Sequence, residues 1–341
     1  MRAVLHRKQW PHVPLAMPPA GSGLRAVDGS GGLPVIGRSI EALLDGPRFT
    51  QRCYDTYGPV SWNRAFGVRM VTALGPDATQ AVLTNADKAF SQAGWEYFIG
   101  PFFHRGLMLL DFDEHRLHRR IMQEAFVRDR LATYLGRVDE LAQRDIARWP
   151  VPAQVFMYPS VKELSLQIAS DIFMGGDLGA DSDRLHRAFT DTVRAGTAVV
   201  RKAVGNGKWA RGLQGRAVLE DFFRSRLPSK RAADSDDLFA ALCHARTDDG
   251  EQFSDDDVVS HMIFLMMAAH DTSTITTSGV VGQLAAHPEW QDRCRAESMA
   301  IPSGSRPTGI SATWRHGLRA SIRHAAPTGN ARSSVSSVAA M

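Results

Sequence analysis

Two clusters in this chain carry residue types that can do chemistry. The first is Ala268-Ala269-His270-Asp271-Thr272-Ser273, set inside a long apolar stretch with helical periodicity. An acid beside an alcohol in a core-type helix is costly unless something uses them. Positions four apart share a helix face, so Phe264, Ala268 and Thr272 line up, with Asp271 beside them. One aromatic, one small residue and an acid–alcohol pair suit a pocket wall. Ala268 and Ala269 let a flat ligand approach the backbone, and Asp271 with Thr272 can relay protons through a water. The plainer reading is that Thr272, Ser273 and Thr274 bond back to carbonyls one turn earlier and bend the helix.

The second cluster is Glu114-His115-Arg116-Leu117-His118-Arg119-Arg120. His115 and Arg119 lie four apart, so both can reach one bound anion. The planar fork of Arg donors suits a carboxylate. The plainer reading is a solvated basic face, neutralised locally by Asp111, Asp113 and Glu114.

The periodicity places both clusters on helices. Ser254-Asp255-Asp256-Asp257 puts an alcohol and acids where the first N–H groups of a helix need acceptors. The helix predicted from it runs over Val258 to Leu284 and should pass through the core. A short helix opens at His287-Pro288-Glu289 and ends near Glu297. Glu114 to Phe126 is helical in composition. Further helices are expected over Ile40 to Tyr57, from Pro76 to about Leu83, over Leu131 to Trp149, Val161 to Phe173, Leu185 to Val204, Ala217 to Arg226 and Asp236 to Arg246. Val60 to Leu74 alternates around Phe66-Gly67, which predicts a β-hairpin.

The 341 residues are 44% hydrophobic, enough for a large core, and 22% charged, close to an ordinary soluble average. The net charge of +4 is a mild excess that argues solubility and against a nucleic-acid partner. Cys53, Cys243 and Cys294 are widely spaced, which excludes a disulfide framework or a paired metal motif and fits a reducing compartment. The apolar run Met262 to Ala269 is far short of the roughly 20 residues a spanning helix needs. A cytoplasmic location with no integral membrane segment is therefore expected.

Ala268-Ala269-His270-Asp271-Thr272-Ser273 resembles the oxygen-activation motif of cytochromes P450: a small residue, Gly, any residue, an acid, Thr, then Ser or Thr. Gln283-Leu284-Ala285-Ala286-His287-Pro288-Glu289 resembles the stretch just after that helix in the family. The segment from Asp113 to Arg120 is similar to the haem-propionate helix. Leu33-Pro34-Val35-Ile36-Gly37, Tyr57-Gly58-Pro59-Val60 and the hairpin resemble the family's N-terminal part. All occur in family order, over about Gly31 to Glu297.

The resemblance implies a mainly α fold with a small β region, built around haem b. His115 and Arg119 would bind the haem propionates. Phe264 and Ala268 would face substrate and oxygen, and Asp271 and Thr272 would be the catalytic pair that delivers protons. The substrate would be an apolar small molecule, oxidised with O2 and two electrons from a ferredoxin- or flavin-type donor. Ala269 stands where the family usually has Gly.

The larger departure concerns the iron. The family holds it with a Cys thiolate in a Phe-x-x-Gly-x-x-x-Cys-x-Gly loop. None of the three cysteines here has Phe seven before it or Gly two after it, and no Glu is followed by Arg three residues later. The expected organisation is a flexible leader over 1–30, a partial P450 domain over 31–297 that lacks the C-terminal haem-ligand part, and a tail over 298–341. That tail has no Asp, Glu or Lys but five Arg and nine Ser. It reads as a disordered basic segment or as out-of-frame translation, the abrupt change in composition favouring the second. The expectation is a truncated or frameshifted P450 monooxygenase, inactive as given. The alternatives are a non-catalytic remnant and a haem- or lipid-binding protein.

Overall fold

The computed structural model describes residues 10–149, 155–176, 181–233 and 235–300. They fall into two compact units, the first ending at Trp95 and the second beginning at Glu96. The tail expected over 298–341 lies outside the described residues beyond Ala300.

The first unit is a small sheet with helices. Strands β1 (Val13–Pro14), β2 (Asp28–Ser30), β3 (Val60–Ala65) and β4 (Val68–Ala73) lie in that order. β1–β2 and β3–β4 are antiparallel, and β2–β3 is parallel. The β3–β4 loop is two residues long, and both, Phe66 and Gly67, have positive φ. That backbone matches the twist of the flanking strands and fixes the register. Helix α1 (Ser39–Tyr57) matches the predicted span almost residue for residue, and α2 spans Pro76–Thr84. β1 and β2 fall within the segment expected to be a flexible leader: Trp62 Nε1 donates to Val13 O at 2.7 Å.

The second unit is helical: α3 (Ala93–Phe103, which starts in the first unit), α4 (Phe112–Gln123), α5 (Arg128–Ile146), α6 (Met157–Met174), α7 (Ser182–Ala195), α8 (Lys208–Ala232), α9 (Leu238–His244), α10 (Asp255–Ala286) and α11 (Pro288–Met299). The helix predicted over Leu185 to Val204 ends at Ala195, because Gly196 and Thr197 leave it in a turn. The one predicted over Ala217 to Arg226 is a 25-residue helix. α3 lies outside the predicted elements, since its apolar residues lack a polar face to give them a period. α7 and α8 pack closely. A Cβ on Gly212 would overlap the Ala195 side chain, and one on Gly215 would overlap the Ala188 carbonyl. Phe102, Phe103, Phe189, Phe223, Phe239, Met262 and Ile263 form the fully buried centre.

α10 has 32 residues, about 48 Å at 1.5 Å per residue. Ser254 caps it, accepting from the Asp257 N–H at 3.2 Å, and Asp255, Asp256 and Asp257 occupy the first turn. Val258, Val259, Met262 and Ile263 are completely buried. Beyond Asp271 the helix emerges: Ile275 is 62% exposed and Val280 50%. α11 has no buried residue. Among the described residues, no helix is long and apolar enough to cross a membrane.

Candidate functional site

α4 carries the basic cluster Glu114 to Arg120. Its N-cap position is Asp111, and its acids sit in the first turn, where the helix dipole favours them. Those acids do not neutralise the whole basic face. Asp113 pairs with Arg116, and Glu114 with Arg105 at 3.3 Å. Arg120 reaches Glu251 at 3.5 Å. Among the described residues, His118 is bonded to His261, and the other two basic side chains of α4 without a carboxylate partner are His115, half-buried, and Arg119, exposed. They are the pair whose spacing suits one anion.

α10 carries the acid–alcohol cluster Ala268 to Ser273. Phe264 is buried against the backbone at Gly106, where a Cβ would come within 2.7 Å of the Phe264 Cβ. It therefore packs on a loop in this structure. Ala268 and Ala269 are half-buried and Thr272 is exposed. The Thr272 hydroxyl donates to Ala268 O at 2.5 Å, and the Thr274 hydroxyl donates to His270 O at 2.9 Å. The back-bonded geometry weighed for these alcohols is thus the one observed.

Asp271 lies 3.2 Å from His270 Nδ1 and 3.8 Å from Lys162 Nζ. The neighbouring His270 ring holds its carboxyl below the usual carboxylate value, and Lys162 and Arg194 add to this against the opposing effect of burial. Asp271 is therefore ionised at neutral pH. Its contact with His270 is an ion-pair distance only, since neither ring nitrogen of that buried histidine makes a hydrogen bond.

The two clusters meet through residues that sequence spacing did not single out. His118 Nδ1 and His261 Nε2 share a buried hydrogen bond of 2.9 Å, with the Phe253 ring against both. Arg105 bridges Glu114 of α4 and Asp257 of α10. Burial pushes His261 down to about 3, and His118 is lowered for the same reason, so both rings are neutral. A residue partner 143 positions away leaves no periodic trace, though two histidines on apolar helix faces are a hint.

The residues present fit a haem in part. An unpaired Arg–His pair suits carboxylates, and small half-buried residues on α10 suit a flat ring. The cysteines fit less well. Cys243 is buried on α9, and desolvation pushes its thiol up to about 11, so it is not a thiolate at neutral pH. Burial also raises Cys53, which sits in the first unit beside Arg38. Cys294 is exposed on α11. Among the described residues, no group of three or more His, Cys, Asp or Glu could hold a metal ion.

The sequence model of cytochrome P450 matches residues 28–205 and 214–314. Cytochrome P450 136 of Mycobacterium tuberculosis is 51% identical over 300 residues, covering 86% of this chain and 61% of that protein. Taxane 10-beta-hydroxylase of Taxus cuspidata is 24% identical over 307 residues, again covering 86% and 61%. Among solved structures, cyanobacterial CYP120A1 with retinoic acid bound superposes with a TM-score of 0.73 at 21% identity, covering 85% of this chain and 67% of that one. The chain belongs to the cytochrome P450 family. It spans about three-fifths of the length of the curated relatives it matches, 61% in both cases.

Proposed function

We propose that this chain carries the propionate-binding and oxygen-facing half of a P450 haem centre, serving oxidation of an apolar small molecule. The observation that supports it most is the pairing pattern on α4: Arg116 and Arg120 have carboxylate partners, while His115 and Arg119 are left for an external anion. Haem, when bound, supplies the oxygen activation by which one oxygen atom enters the substrate. His115 and Arg119 would hold its two propionates, Arg119 through its planar fork. Ala268 and Ala269 leave the ring room beside the α10 backbone. Phe264 forms apolar wall.

The proton path would begin at Asp271, whose ionised carboxylate is in reach of solvent, can accept a proton from water there and can pass it through a second water to Thr272. Thr272 must first release Ala268 O, to which its only hydroxyl proton is now given. Electrons would come from a ferredoxin- or flavin-type donor, and a cytoplasmic location accords with the reducing chemistry of three free cysteines.

The same reading holds that this chain does not turn over by itself. No cysteine has the family's loop around it, and Cys243 is held as a thiol. A thiolate ligand is what favours O–O cleavage in this family. The back-bonded Thr272 favours the second reading, a haem- or lipid-binding protein without catalysis.

Haem titration separates the cations. Arg119→Gln and His115→Gln should each weaken haem uptake about tenfold, the size of one lost charge-assisted bond. Arg116→Gln, already paired with Asp113, should leave it nearly unchanged. Equal effects at all three positions would remove the propionate assignment.

A further inference from the structure

A cavity of about 470 Å3 opens between α6, α7 and α10, on the second unit. Asp271 lines it while Phe264, Ala268 and Thr272 do not, so it adjoins the candidate oxygen face and shares the acid with it. α6 contributes Tyr158 and Lys162, α7 contributes Phe189 and Arg194, and α10 contributes Asp271 and Ile275. Its size falls in the range of small-molecule sites, which are mostly apolar with a few convergent polar groups.

The charges at this cavity do not cancel. Lys162 Nζ is 3.8 Å from Asp271 Oδ1, and Arg194 also acts on that carboxylate through space. Two cations thus face one acid. Among the described residues, Arg194 has no carboxylate within ion-pair distance, and it is exposed. One positive charge is left over, on the residue type whose donors match a planar anion. Around it, Phe189, Tyr158 and Ile275 offer apolar and aromatic surface, with the Tyr158 and Thr190 hydroxyls and the His270 ring as further polar groups.

We propose that this cavity binds a small organic carboxylate with a compact apolar body. The carboxylate is taken by the Arg194 fork with help from Lys162, and the body lies between Phe189, Tyr158 and Ile275. A bare phosphate would leave the apolar walls uncovered. An amine would meet the surplus positive charge and compete with Lys162 for Asp271. The site shares Asp271 with the proton path proposed above, but binding of a carboxylate there needs no haem and is measured without it.

Calorimetric titration of the full chain with phenylacetate tests it, with phenylacetamide and phenethylamine as the neutral and cationic counterparts. Phenylacetate is expected to saturate at one per chain and to weaken as salt is raised. The amide and the amine are expected to bind about tenfold more weakly or worse, and Arg194→Gln should weaken phenylacetate by a similar factor. Ile275→Glu, at an exposed position, should abolish phenylacetate binding by placing an acid in the wall while leaving the fold intact. The proposal is overturned if phenylacetate does not saturate, if the amide or amine binds as well, or if both variants bind like the parent.

Discussion

The two halves of α10 are one continuous helix in two different environments. From Val258 to Met266 its side chains are mostly sealed in the second unit, and Val258, Val259, Met262 and Ile263 have no exposure at all. From Asp271 onward more of it reaches solvent, through Thr272, Ser273 and Ile275, while Thr274 stays fully buried against Ser165. The buried half holds the fold together, and the emergent half carries the acid–alcohol pair. What keeps Asp271 and Thr272 in place is therefore the helix they continue, with little packing of their own.

Breaking the buried half should have the largest effect. Ile263→Ala removes a fully buried side chain and should cost roughly 2–5 kcal/mol of unfolding free energy. Ile275→Ala, on the emergent half, should stay within about 0.5 kcal/mol. Chemical denaturation of the two variants measures the contrast, and similar losses would abolish the distinction between the halves.

Acid should attack the same buried half through His118 and His261. Both are neutral in the fold, whereas in the unfolded chain they titrate near the ordinary value of about 6.5. Below that pH the unfolded state binds more protons, so stability falls as pH drops and keeps falling toward about 3, where folded His261 titrates. Burial favours the neutral rings most, Arg105 and, at His118, His115 act with it, and together they outweigh Asp257 and Glu114, which favour the charged forms. The urea midpoint should decline on acidification from about pH 7 to 5. The decline should be shallower in His261→Gln. A midpoint that rises on acidification would contradict the neutral pair.

A smaller effect is expected at the start of the helix. Ser254→Ala removes the side-chain acceptor for the Asp257 N–H and should cost about 1 kcal/mol. Least of all, Thr272→Ala should change stability by less than about 0.5 kcal/mol, because the hydroxyl only bonds back to its own helix at an exposed position. A loss comparable to Ser254→Ala would mean that the back-bond supports the helix.

Much of this contrast was legible in the residues. Ser254 and the acids after it announced the start of α10, and the apolar run to Ala269 announced its burial. Phe66-Gly67 announced the hairpin turn. His115 and Arg119 were singled out by their spacing, and among the described residues neither has a carboxylate partner. Local pattern did not reach contacts between distant segments. The packing of Phe264 on Gly106, the His118–His261 bond and the bridge through Arg105 join residues more than a hundred positions apart. Nor could it show which of two readings Thr272 obeys, since the hydroxyl that relays a proton and the hydroxyl that bonds back are the same group in two rotamers.

The central claim is that the chain holds haem from its propionate and oxygen-facing sides without a thiolate beneath the iron. The reduced, carbon-monoxide-bound difference spectrum of the purified chain supplied with haem tests it most directly. The account predicts haem uptake without the red-shifted Soret band of a thiolate ligand. A thiolate-type band would show that Cys53, Cys243 or Cys294 reaches the iron, and no haem uptake at all would remove the site from α4 and α10.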